Sequence, residues 1–126
     1  MKQSKFIKIK IGPLELTAEL YDTPTAETIH HSLPINGSVN RWGQEIYFSI
    51  GQEIDLEDDA TEVVQKGELG YWPVGRAFCI FWGKTPASIN VEPRAASPVN
   101  VFGKVLDDLD MLDKVSPSTE IRIESV

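Results

Sequence analysis

The chain has 126 residues, of which 41% are hydrophobic and 25% charged, the size and make-up of one ordinary globular domain. A disordered tail, a collagen-like chain and a disulfide-dense scaffold are excluded by those figures. Twelve Lys and Arg against 19 Asp and Glu leave a formal net charge of −7, which argues against nucleic acid and anionic membrane as partners, because both bind through clustered cations.

The first two elements are predicted to form a hairpin. Ile7, Ile9 and Ile11 alternate with Lys8 and Lys10, Gly12-Pro13 is a turn signal, and Leu14, Leu16, Ala18 and Leu20 alternate with polar residues. Four of the twelve basic residues lie between Lys2 and Lys10 and read as a solvated strand face. A short helix follows. Thr23 can cap it, Pro24 suits its first position, Glu27 lies in its first turn, and Pro34 stops it. Ala26, Ile29 and Leu33 share its apolar face.

Pro34 to Asn40 reads as a loop. Arg41-Trp42-Gly43-Gln44-Glu45-Ile46-Tyr47-Phe48 reads as a strand with a glycine break, the signature of a bulge or tight bend. Glu53 to Glu62 carries six carboxylates in ten residues; it lacks the ligand spacing of a calcium loop and reads as a solvated acidic loop. Gly67 to Trp72 is a short strand. Ala77-Phe78-Cys79-Ile80-Phe81-Trp82 is a continuous apolar run, as expected of a strand buried on both faces. Pro86 to Pro98, with three prolines, reads as a loop. Val99 to Val105 is a strand, Asp107 to Val115 a short helix, and Glu120 to Glu124 a final strand. Seven or eight short strands with two small helices point to a mainly β barrel or sandwich.

Few patterns carry chemistry. Phosphate loops, dinucleotide fingerprints and His-Glu-x-x-His are absent from the sequence, and no cofactor or metal is expected. Adjacent His30 and His31 point about 100° apart on a helix and make a poor metal pair. The single cysteine, Cys79, cannot form an internal disulfide and lies in the most apolar run, where its thiol would be inert. Cytoplasm is the natural compartment for such a chain. The N-terminus alternates Ile and Lys instead of running apolar, unlike a signal peptide, and no apolar run approaches the ~20 residues of a membrane span. What stands out is aromatic. Trp42, Tyr47, Phe48, Tyr71, Trp72, Phe78, Phe81 and Trp82 fall in three segments interleaved with Arg41 and Arg76, which is material for a core or for an apolar groove with an arginine at its edge.

The order of these segments resembles a cyclophilin-type domain, and most closely the compact prokaryotic cyclophilin-like family. Val99-Asn100-Val101-Phe102-Gly103-Lys104-Val105, followed by an acidic short helix and Ile121-Arg122-Ile123, is similar to the cyclophilin strand ending Val-Phe-Gly-Lys-Val. Gly67-Glu68-Leu69-Gly70 and Gly75-Arg76-Ala77-Phe78-Cys79-Ile80 are similar to the family's Gly-x-Leu-Ser and Gly-Ser-Gln-Phe-Phe-Ile segments. Ala18-Glu19-Leu20-Tyr21-Asp22 with Pro24-Thr25-Ala26-Glu27 resembles its Glu-Leu-Phe strand and first helix. Arg41 to Phe48 and Phe81-x-Gly83-x-Thr85-Pro86 resemble the compact family. The likeness spans roughly residues 14 to 125.

The resemblance implies a closed eight-stranded antiparallel barrel with two short capping helices. It also implies prolyl cis/trans isomerisation as a candidate activity. That reaction needs an apolar proline pocket and a cation that stabilises the prolyl nitrogen as it loses conjugation, against a barrier near 18–20 kcal/mol. Active cyclophilins carry the arginine in a Phe-His-Arg segment, with phenylalanine five residues later and glutamine eight later. Here Asn40 precedes Arg41, and Ile46 and Ser49 occupy the later positions; Cys79 replaces the second residue of a Phe-Phe pair. The expectation is therefore a single cyclophilin-like domain that binds a peptide or small molecule in an aromatic groove of Phe48, Tyr71, Trp72 and Phe78, with little or no isomerase activity. The alternative is a weak, divergent isomerase with Arg41 as its electrostatic group.

Overall fold

The computed structural model describes residues 5–126. Lys2, which the sequence places on a solvated strand face, lies outside the described residues. The first hairpin forms as its alternation dictates: β1 (Lys5–Ile11) pairs with β2 (Leu14–Leu20) around Gly12-Pro13. Gly12 takes φ +53°, a conformation that glycine adopts without a Cβ penalty. Helix α1 (Pro24–His31) follows, and the Thr23 hydroxyl caps it by accepting from the Ala26 N–H. Ala26 and Ile29 are buried in the main core and Leu33 packs against it, as the apolar stripe requires.

Strands β3 (Ile35–Ser38), β4 (Asn40–Arg41), β5 (Glu45–Ser49), β6 (Thr61–Val63), β7 (Glu68–Trp72), β8 (Ala77–Phe81), β9 (Arg94–Val105) and β10 (Glu120–Ser125) complete the sheet. Its order is β3-β10-β1-β2-β9-β7-β8-β5-β4, with β6 pairing β9, and every pairing is antiparallel. The mainly β, antiparallel class is as expected. The closed eight-stranded barrel is not. Among the described residues there are ten strands, and the path ends at β3 and β4, which share no ladder. These end strands are four and two residues long. The Phe48 ring fills the space beside Gly37, where an added Cβ would come within 2.5 Å of it, so β3 meets β5 through a side chain instead of a ladder. The second expected helix is a 3-10 helix, Leu109–Lys114.

Two expected loops give way in part to strand, and the expected bend at Gly43 forms. The segment Pro34 to Asn40 contains β3, which pairs with β10 from Ile35↔Ile123 to Ser38↔Glu120; long-range pairing overrides the local preference of Asn-Gly-Ser for turns. The glycine break at Gly43 is a tight hairpin turn, closed by Trp42 N–H donating to the Glu45 carbonyl at 2.9 Å. The loop from Pro86 ends at Arg94, where β9 begins.

Strand β9 explains the layering. Its second half pairs with β7 and β2 within the main sheet. Its first half pairs with β6 and lies with it over the outer face of the sheet. Two apolar clusters result. The inner one holds Ile7, Ile9, Leu16, Phe48, Tyr71, Phe78 and Phe102; the outer one holds Val64, Ala77, Cys79, Phe81, Ala95 and Val99. All five residues of β8 are buried, because alternate side chains serve alternate clusters, as the unbroken apolar run predicts.

Candidate functional site

Outward-facing residues of β5 build the site. Side chains alternate along a strand, so Ile46 and Phe48 enter the inner core while Glu45 and Tyr47 face the outer layer. Trp42 arrives from the β4–β5 turn, Trp72 from the end of β7, and Ala95, Ala96 and Val99 from the first half of β9. Together these residues line a cavity of about 220 Å³. Trp72 is fixed there by its indole N–H, which donates to the Ser97 hydroxyl at 2.6 Å. The Tyr47 and Trp72 rings meet edge to face, with centroids 6.3 Å apart.

Glu45 is the polar centre of this site. It is only 5% exposed, and its Oε1 has no hydrogen-bond partner. Burial pushes its carboxyl up to about 7, with the adjacent Cys79 thiol pulling the other way. Cys79 is itself pushed well up, first by burial and then by the charge of Glu45, so the thiol is inert, as its apolar run predicts. A carboxyl with an orphaned oxygen is costly unless something donates to it. Sequence reasoning passed over Glu45 because one acid among nineteen carries no signal. Its place between outer-face Trp42 and Tyr47 on an alternating strand was the readable clue.

The sequence-selected groove residues divide. Phe48, Tyr71 and Phe78 are all at most 2% exposed and lie in the inner core. Phe48 and Phe78 ring centroids are 5.6 Å apart, and Phe78 meets Phe102 edge to face at 5.2 Å. The Tyr71 hydroxyl donates to the Gln52 carbonyl and accepts from the Ile54 N–H. Trp72 alone of the four lines the cavity.

Arg41 lies elsewhere, at the junction of the β4–β5 turn with the 3-10 helix. Its Nε donates to the Gly43 carbonyl at 3.0 Å, and one terminal nitrogen donates to the Asp113 and Val115 carbonyls at 2.7 and 2.9 Å. The other terminal nitrogen is 3.9 Å from the Asp113 carboxylate. The guanidinium stands over the Trp82 ring, 5.2 Å from its centroid, while the Trp82 indole N–H and the Gln44 amide donate to Asp113 Oδ1. These donors hold Asp113 below the usual carboxylate range, helped by the charge of Arg41. Arg41 thus clasps two chain segments together.

In the acidic stretch Glu53 pairs with Arg76 at 3.6 Å and Glu62 with Arg94 at 3.4 Å, and Glu57 ties the segment to helix α1. Glu57 accepts from the Thr25 N–H at 3.2 Å and from the Thr25 hydroxyl, at the positive end of α1. Buried Asn100 accepts from the Glu57 N–H at 2.8 Å and donates to Thr25 Oγ1 and the Asp55 carbonyl at 3.0 and 2.9 Å. Among the described residues, no group of three or more His, Cys, Asp or Glu comes together as a metal set would, and no helix is long and apolar enough to cross a membrane.

Comparison with known proteins fits this architecture. The sequence matches no curated protein. The fold superimposes on the solution structure of a hypothetical protein from Archaeoglobus fulgidus with a TM-score of 0.82 and 34% sequence identity, covering 98% of this chain and 95% of that one. The family model described as cyclophilin-like matches residues 5–124. The chain belongs to the cyclophilin-like family.

Proposed function

We propose that this chain is a binding domain with little or no prolyl isomerase activity, and that it takes a small molecule or a peptide side chain in the cavity between β5, β7 and the start of β9. The observation that carries this reading is the orphaned, buried Glu45 oxygen beside a cavity lined by Trp42, Tyr47 and Trp72. Apolar concave sites with a few placed polar groups are the general form of ligand pockets. A dry cavity near 150 Å³ admits benzene, so about 220 Å³ has room for one ring and a short chain. The reading favours Trp72 over Phe48, Tyr71 and Phe78 as a ligand contact, since those three are committed to packing. Arg41, with its donors on backbone carbonyls, supports the clasp role better than donation to a prolyl nitrogen. Cytoplasm is the compartment this reading assigns, since a lone buried thiol needs no oxidising environment.

A prolyl isomerisation assay on an Ala-Pro peptide, with Arg41→Ala as control, tests the reading. No acceleration is expected from a folded, monodisperse sample. Acceleration that vanishes in Arg41→Ala while folding persists would make the chain a divergent isomerase.

A further inference from the structure

We propose that the cavity selects a compact organic cation, an ammonium group on an apolar or aromatic body, with Glu45 as its counter-ion and Trp42, Tyr47 and Trp72 as its walls. This rests on the binding reading above and names the ligand class. Three observations converge on it. The Glu45 Oε1 is buried without a partner, so in the ionised form of the carboxyl, which prevails above about pH 7, the occupant has to donate a hydrogen bond to it. No Lys, Arg or His is among the residues lining the cavity, so no protein cation neutralises that carboxylate. The side chains beside it are electron-rich rings, whose faces attract cations.

Elimination leads to the same class. An anionic ligand would meet the ionised carboxylate with no Lys, Arg or His among the lining residues to offset the repulsion. A neutral apolar ligand would displace water and leave Oε1 still unsatisfied, at a full desolvation penalty. A neutral alcohol would satisfy the oxygen and gain nothing from the ring quadrupoles. An ammonium donates to Oε1, pairs with its charge and lies against the aromatic faces. The net charge of −7 also favours approach of a cation.

The test compares benzylammonium, benzyl alcohol and benzoate, three probes of nearly one shape. The readout is the Trp42 and Trp72 indole signals in NMR titrations at pH 8, where the Glu45 carboxyl is ionised, with wild-type protein and with Glu45→Gln. Benzylammonium is expected to move both indole signals and to bind at least about tenfold tighter than benzyl alcohol, with benzoate weakest; Glu45→Gln should abolish the preference. Equal or tighter binding of the alcohol or benzoate overturns the cation assignment and leaves the binding reading standing. Preference retained in Glu45→Gln overturns Glu45 as counter-ion. If none of the three probes moves the indole signals, both the assignment and the binding reading fall. The ranking of the probes on wild-type protein decides the class even if the variant does not fold.

Discussion

Glu45 on β5 and Cys79 on β8 share the outer face of neighbouring strands, where the buried thiol and the buried carboxyl each perturb the other's titration. The consequence is a pH dependence of stability. The Glu45 carboxyl has an ordinary value of 4.5 and is pushed to about 7 in the fold. Between those values the folded chain holds a proton that the unfolded chain has released. Stability therefore falls as pH rises from about 4.5 to about 7 and levels off above it. The full loss is about 3 kcal/mol, and Glu45→Gln should remove it. Glu15, Glu92, Asp113 and Glu124 are all held low by their partners and act in the opposite sense at more acid pH. His30, lowered by burial, also opposes the Glu45 slope. The readout is thus the difference in urea-unfolding free energy between wild type and Glu45→Gln at pH 5 and pH 8.

Cys79 is 1% exposed, and its thiol is pushed well up by burial. In the native chain it should react with an aromatic disulfide reagent at least about a thousandfold more slowly than in urea, because the reaction must wait for opening of the fold. Comparable rates in the two conditions would mean that the outer layer opens on its own.

Removal of Arg41 should cost stability. Arg41→Ala deletes three bonds to carbonyls and the stacking on Trp82. About 2–4 kcal/mol is expected, since charge-assisted bonds contribute more than neutral ones but this side chain is partly solvated. Arg41→Lys should restore less than half, because one ammonium cannot reproduce a planar fork. Chemical denaturation of the three proteins decides this, and a cost under about 0.5 kcal/mol, the range of ordinary surface substitutions, would refute the clasp.

Asn100 is 1% exposed and uses both ends of its amide to hold residues 55–57 and Thr25. Asn100→Ala leaves buried polar groups unpaired and should cost about 2–4 kcal/mol. Amide exchange at Asp55–Glu57 should accelerate more than exchange in β1 or β2. Uniform acceleration everywhere would show that the acidic segment has no local tether.

Much of the fold is legible in the residues themselves. Alternating Ile in β1, the Thr23-Pro24 helix start and the unbroken apolar run of β8 each state their structure through local periodicity. Strand β3 does not, because Ile35-Asn36-Gly37-Ser38 is held extended only by β10, some 85 residues later. The number of strands and the open path follow from such distant pairings and escape a local reading. The candidate site escaped for a related reason. Phe48, Tyr71 and Phe78 look like groove material by composition, yet their phase on the strands turns them inward. Tyr47, one residue from Phe48, faces the cavity. Arg41 was legible as a special residue, but its role depends on the carbonyls of Asp113 and Val115, more than seventy residues away.

Strand β1 lies between β2 and β10, with Ile7 opposite Ser125 and Ile11 opposite Ile121. During synthesis the first hairpin can therefore zip up early, yet one whole rim of β1 has no mate until the ribosome has released residues 121–125. The intervening chain leaves a row of bare amides and carbonyls beside alternating isoleucines, a template for another nascent copy. Lys8 and Lys10 on that strand are the charges that discourage such a mispairing while β1 waits for its last partner.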